Sequence, residues 1–148
     1  RGPGQRRDGP SIAMMDIVAA SRLAGEHCWV ESRLFEVLGA LLHTVDDDAA
    51  VVALGDRCTR HGERAQAWRA RIASIPGLDA DALVVAPAEL APLVGQLTAS
   101  LDDPARCTAL IDHDVLPALE HSYREHRRLV DARIDGPTAN LLDRILRP

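Results

Sequence analysis

The residues with the most chemistry in reach are Glu31, His61, Tyr123 and His126. Glu31 interrupts an otherwise oily stripe, Ile17, Ala20, Ala24, Cys28, Phe35, Leu38 and Leu42, whose steps of three and four residues fall on one side of an α-helix. A carboxylate there has to be hydrogen-bonded, protonated or bound to a metal, because burying it bare costs on the order of several kcal/mol. His61 holds the same kind of position on a second stripe (Leu54, Cys58, Ala65, Trp68, Ile72, Ile75). Tyr123 and His126 hold it on a third (Leu116, Leu119, Val130). Glu31, His61 and His126 make a two-histidine, one-carboxylate set. Such a set suits one Fe(II), Mn or Zn ion and leaves positions open for substrate or oxygen. Tyr123 would be a further ligand or a proton donor. The same residues without metal make a buried polar network in which Glu31 accepts from His61 or Tyr123. The sequence favours this second reading over the metal.

Other pairings are weaker. His27-x-x-x-Glu31 and His121-x-x-x-Glu125-His126 put residues four apart on one helical face, which resembles haemerythrin-like bundles. That family needs more histidines in register, and His121 falls off the inward stripe. Cys58, one turn before His61, would be a nucleophile only as a thiolate; among Ala and Leu it reads as packing. His43 and His113 fall near helix ends and read as surface groups. Trp29, off the main stripe, is expected to pack on the last helix or mark a dimer surface, and Trp68 to lie in the core.

The elements that position these residues are helices. Ser11 is expected to cap a first helix running to about Val45. Asp46–Asp48 turns the chain and opens a second over about Asp48–Ile75, because acids are favoured at a helix N-terminus. Its row Arg57, Arg60, Arg64 and Arg71, interleaved with Asp56 and Glu63, reads as a solvated face. Pro76-Gly77 signals the stop. A third helix is expected over about Pro87–Leu101, with Leu90, Val94, Leu97 and Leu101 inward. A fourth runs from the Asp103-Pro104 start signal to about Ile134, kinked at Pro117, and a short last helix spans Thr138–Leu146.

A three-residue turn makes the first two helices antiparallel neighbours. Glu31 lies about 15 residues before that turn and His61 a similar distance after it, so the two face each other at one height. The connection Pro76–Pro87, extended at ~3.3 Å per residue, could span ~40 Å and cross back along the bundle. The fourth helix would then start beside the first. Tyr123, as far from Pro104 as Glu31 is from Ile12, would join Glu31, His61 and His126 in one layer.

That arrangement resembles the ferritin-like superfamily, and in detail a divergent actinobacterial-type group within it. The segments that carry the likeness are Glu31-Ser-Arg-Leu-Phe-Glu-Val-Leu-Gly39, His61 through Trp68, and Val115-Leu-Pro-Ala-Leu-Glu-His-Ser-Tyr-Arg-Glu-His126. The resemblance implies a four-helix bundle with a long crossover between helices two and three, and a di-iron site built from two Glu and two Glu-x-x-His motifs. Glu31 matches the first ligand. The second motif reads Cys58-Thr-Arg-His61 and the fourth Tyr123-Arg-Glu-His126, each with its His but without its Glu. The third helix offers no inward acid: Glu89 sits at its first turn and Gln96 is off the stripe. Without the bridging carboxylates an intact di-iron centre is not expected; what remains is a degenerate one.

The whole chain is consistent with a single small domain over 11–148, preceded by a Gly-, Pro- and Arg-rich arm over 1–10 that reads as disordered or as an expression remnant. All 17 basic residues are Arg, and the net charge of −5 does not favour nucleic acid. No apolar run approaches the ~20 residues of a membrane span. Cys28, Cys58 and Cys107 read as reduced thiols in a cytoplasmic protein. The expectation is therefore an all-α, ferritin-like cytoplasmic protein with a non-catalytic binding or interaction role. It would carry no cofactor or one Fe, Mn or Zn ion, take a small ligand or form a homodimer, and engage neither nucleic acid nor membrane. The alternative is a mononuclear non-haem metal oxidoreductase using the two-histidine, one-carboxylate site.

Overall fold

Aspartates open the long helices. In the computed structural model, which describes residues 15–148, Asp16 accepts from the Ala19 N–H at 2.7 Å and starts α1, Ile17–Leu42. Asp47 does the same for α2, Asp48–Arg69, accepting from Ala50 at 2.8 Å. The expected arm over 1–10 and the Ser11 cap lie outside the described residues; Asp16 is the cap. Neither of the first two helices is as long as its apolar pattern. α2 stops at Arg69 rather than Ile75: its end tightens, with Arg71 N–H on the Trp68 carbonyl and Ile72 N–H on that of Arg69, and the Ala73 N–H goes instead to Ser21 Oγ at 3.0 Å. Pro76-Gly77 is a separate turn, with Leu78 N–H bonded to the Ile75 carbonyl and Gly77 at φ 82°, where glycine is at home.

The expected third helix is broken into a single turn, α3 (Ala80–Leu83), and α4 (Ala91–Ala99). The expected fourth helix begins where Asp103 caps Pro104 but is also divided. α5 (Pro104–Leu110) passes through one wide turn, Ile111–Val115, into α6 (Leu116–Leu129). In that turn Leu116 N–H reaches five residues back to the Ile111 carbonyl. Pro117 has no N–H and its ring would strike the carbonyl four residues before it; an extra residue in the preceding turn moves that carbonyl aside. α6 ends at Leu129, not Ile134, with Val130 extended, and α7 spans Gly136–Ile145.

Cross-helix pairs set the direction of each helix. Ser21 meets Ala73, Glu31 meets His61, and the Phe35 carbonyl meets Cys58, so α1 and α2 are antiparallel. Glu31 meets Tyr123 and His27 meets His126, so α6 also runs against α1. Arg57–Asp112 and Trp68–Tyr123 then run in step, making the fourth helix parallel to α2, and Arg71 reaches Thr138 of α7. The long crossover is therefore not the connection used. Leu83 lies against Gly25, Glu89 bears on Glu26, and α4 climbs from there until the Leu97 carbonyl faces the Cys107 thiol of α5. The segment between α2 and α4 stays beside the first half of α1 because its own apolar residues, Leu83 half-buried and Leu90 buried, pack there. The order is up, down, up, down.

All described regular structure is helical, and no helix among these residues is long and apolar enough to cross a membrane. α1 is covered from two sides, so its buried face is wider than one stripe. Ala24, Cys28, Val30, Glu31, Leu34, Val37, Leu38 and Leu41 are all buried, while the expected stripe members Ile17 and Phe35 are 57% and 45% exposed. The stripes of α2, α4 and α6 are buried as expected at Cys58, His61, Ala65 and Trp68, at Val94 and Leu97, and at Leu119, Tyr123 and His126.

Two glycines on α1 and α2 should respond oppositely to alanine. A Cβ on Gly25 would lie 2.0 Å from the Leu83 carbonyl oxygen, whereas one on Gly55 meets nothing within 4 Å. Urea unfolding should show Gly25→Ala destabilised by about 1–3 kcal/mol through overpacking. Gly55→Ala should be stabilised by roughly 0.5–1 kcal/mol through helix propensity.

Candidate functional site

Glu31 is fully buried midway along α1, and its carboxylate faces donors from two other helices. His61 Nδ1 bonds one oxygen and the Tyr123 hydroxyl donates to the other, both in short contacts. Arg64 Nη1 stands 4.0 Å from the second oxygen. Trp68 Nε1–H donates to the Tyr123 oxygen at 3.2 Å, so the phenol is both donor and acceptor. Burial, then the neighbouring Glu31 charge, pushes the Tyr123 pKa well above its ordinary value. The phenol therefore keeps its proton.

Tyr123 reaches Glu31 although the two helices run in opposite directions. Side chains on a helix lean toward its N-terminus. Tyr123 therefore leans up α6 toward the level of Leu119 while Glu31 leans down α1 toward His27, and the tips meet between them. The convergence expected from a crossover arises in an alternating bundle by this lean.

His126 does not join that cluster. Its Nδ1 pairs with His27 Nε2 at 3.0 Å, and its Nε2 is buried without a partner. The His27 ring lies 4.6 Å from both Trp68 and Tyr123 by centroid, and Trp68 stacks on Tyr123 and His126 at 5.7 and 5.5 Å. Four rings thus form a slab beside the carboxylate. Burial, assisted by the neighbouring His126, lowers the His27 pKa to about 3, and burial lowers that of His126 to about 4.

Of the four expected site residues, the fold brings together Glu31, His61 and Tyr123, and turns His126 to His27. Among the described residues no group of three or more His, Cys, Asp or Glu side chains is arranged to hold a metal ion. The most an ion would find here is one carboxylate, one imidazole and a protonated phenol, which is not a two-histidine, one-carboxylate set. His27 and Arg64 complete the site; from sequence His27 is paired with Glu31 only in the weaker haemerythrin-like pattern, and Arg64 is read as solvated. The signal for His27 was its place one turn before Glu31. The signal for Arg64 was the seven-residue spacing Arg57, Arg64, Arg71, which marks a row facing another helix. Those three arginines are half-buried against the fourth and last helices rather than solvated; Arg60 is exposed.

The three cysteines are free and buried, and burial raises each thiol pKa. Cys58 donates to the Phe35 carbonyl instead of pairing with His61. Trp29 is half-buried against the core, with the Arg33 guanidinium 5.4 Å from its ring centre. His43, His113 and His121 are exposed. Comparison with protein-family profiles, with curated proteins and with solved structures finds no match to the chain.

The histidine slab should make stability fall in mild acid. Folded-state values of about 3 and 4 lie below the unfolded value near 6.5, so the folded state holds fewer protons. The contribution is full above about pH 6.5 and is lost as pH falls toward 4, with a slope of about 1.4 kcal/mol per pH unit for each histidine. Urea unfolding at pH 7, 6 and 5 should show this slope, and His126→Gln should flatten it by about half.

Proposed function

We propose that this chain is a non-catalytic helical binding protein whose polar centre is a closed hydrogen-bond network. The observation that carries this reading is that both oxygens of the buried Glu31 carboxylate are engaged, one by His61 and one by Tyr123, with Arg64 alongside. A general acid or base needs an accessible face, and Glu31 is fully buried. What the chain works with would then lie on its surface, as a small ligand or a second copy of itself. Descent from a ferritin-like bundle with a lost metal centre is supported by the spacing of Glu31, His61 and Tyr123-Arg-Glu-His126; the alternating helix order counts against it.

A mononuclear metal site is the second reading. It is favoured by one observation: His126 Nε2 is a buried nitrogen with no partner, next to a carboxylate cluster that already holds a histidine. A turn of the His126 ring away from His27 would be required.

Elemental analysis separates the two. Protein purified without a metal-affinity step and then loaded anaerobically with Fe(II) should retain less than about a tenth of an ion per chain. About one ion per chain, lost in His61→Ala and in His126→Ala, would overturn the closed-network reading and establish the metal site.

A further inference from the structure

The outer wall of the Glu31 cluster is also the floor of a groove. Arg64 and Tyr123, which touch Glu31 on one side, line on the other a cavity of about 540 Å³ between α6, the end of α7 and α2. Its apolar side is Leu116, Leu119, Ile145 and Leu146, with Pro148 at the rim. Its charged side chains are Arg64, Arg124 and Arg147, with Glu120 the one acidic side chain among them. Glu120 is already bonded to Arg124 at 2.6 Å. Arg64 and Arg147 donate no hydrogen bond to any described residue, and the Arg64 side chain is 25% exposed. A second trough adds Arg60, Arg144 and the acid Glu63, and shares Arg64 and Ile145.

Three guanidinium groups around an apolar floor, of which only Arg124 donates a hydrogen bond and Arg64 stands 4.0 Å from Glu31, form a local positive concavity on a chain whose net charge is −5. Arginine presents a planar fork of N–H donors that matches a carboxylate in two parallel bonds. The size falls within that of small-molecule pockets, and four aliphatic side chains suit an unbranched chain. We propose that this groove binds an amphipathic monoanion, a straight-chain carboxylate whose head is held by Arg64 and Arg147 and whose tail lies along Leu116, Leu119, Ile145 and Leu146. Binding draws Arg64 off the Glu31 carboxylate, whose two direct hydrogen bonds remain in place. The site rests on the reading of the chain as a binding protein with a closed centre, and supplies its ligand class.

The test is a titration of the full chain with decanoate below its micelle concentration, followed by backbone amide chemical shifts. Decanol, decyltrimethylammonium and decyl phosphate serve as neutral, cationic and alternative anionic probes. Saturable shifts at Leu119, Tyr123 and Ile145 are expected with decanoate, and much weaker ones with decanol and the cation. Arg64→Gln should weaken binding at least about tenfold, the effect of losing one charge-assisted contact. Arg147→Gln should weaken it as well, and it reads the same site at a residue that does not touch Glu31. Arg106→Gln, exposed and outside the groove, should bind as wild type. Absence of saturable shifts, equal response to the cationic probe, or unaltered decanoate binding in folded Arg147→Gln would overturn the proposal. Tighter binding of decyl phosphate would overturn the carboxylate head and leave an anion groove. A chain that ignores both decanoate and Fe(II) loses the groove and keeps the closed centre, whereas Fe(II) uptake removes the closed-centre reading whatever decanoate does.

Discussion

A carboxylate at the middle of a helical bundle is the constraint the rest of the structure satisfies. Glu31 has lost all contact with water, and only donors from other helices can replace it. α2 supplies His61, with Arg64 one turn further on, and α6 supplies Tyr123. Hydrogen bonds to a charged group contribute on the order of 1.5–3 kcal/mol each, enough to offset most of a buried carboxylate's desolvation when two or three are made. Because the donors sit on different helices, the network also fixes how far α2 and α6 can slide against α1. An apolar core would fix neither so tightly, since Leu and Val tolerate a shifted neighbour far better than an unpaired charge does.

The aromatic slab follows from the same requirement. Tyr123 must present its hydroxyl to Glu31, which lays its ring against Trp68 and His27. Trp68 then finds an acceptor for its indole N–H in the Tyr123 oxygen, and His27 finds one partner in His126. Within this chain of contacts the single unmatched atom is His126 Nε2. Both histidines are held neutral by burial, so the slab adds no charge beside the one carboxylate.

Much of this was legible in the sequence. The helical class, the aspartate start of α2, the Asp103-Pro104 start and the meeting of Glu31 with His61 follow from periodicity, capping chemistry and height along antiparallel helices, although the connection into α2 is the five residues 43–47 and not a three-residue turn. Tyr123 was placed in the right layer by the wrong topology: the lean of side chains toward helix N-termini does what the crossover was invoked to do. The stop of α2 at Arg69 could not be read, because the apolar pattern continues past it and the backbone donor of Ala73 is satisfied by Ser21, fifty-two residues away. The two-sided burial of α1 likewise comes from tertiary contacts, whereas the wide turn is the local consequence of Pro117, where the sequence already called for a kink. His126 was assigned to Glu31 because both lie on inward stripes, and a stripe tells which helix face is buried without telling which neighbour a ring turns to.

The groove beside α7 joins the buried centre to the surface through Arg64, so both depend on the Glu31 network being a real energetic unit. A double-mutant cycle between Glu31→Gln and Tyr123→Phe, read by urea unfolding at neutral pH, measures this directly. A coupling of about 1–3 kcal/mol is expected, the double variant being less destabilised than the sum of the single ones. Additive single effects would show that the carboxylate and the phenol do not support each other and that the buried centre is not one network.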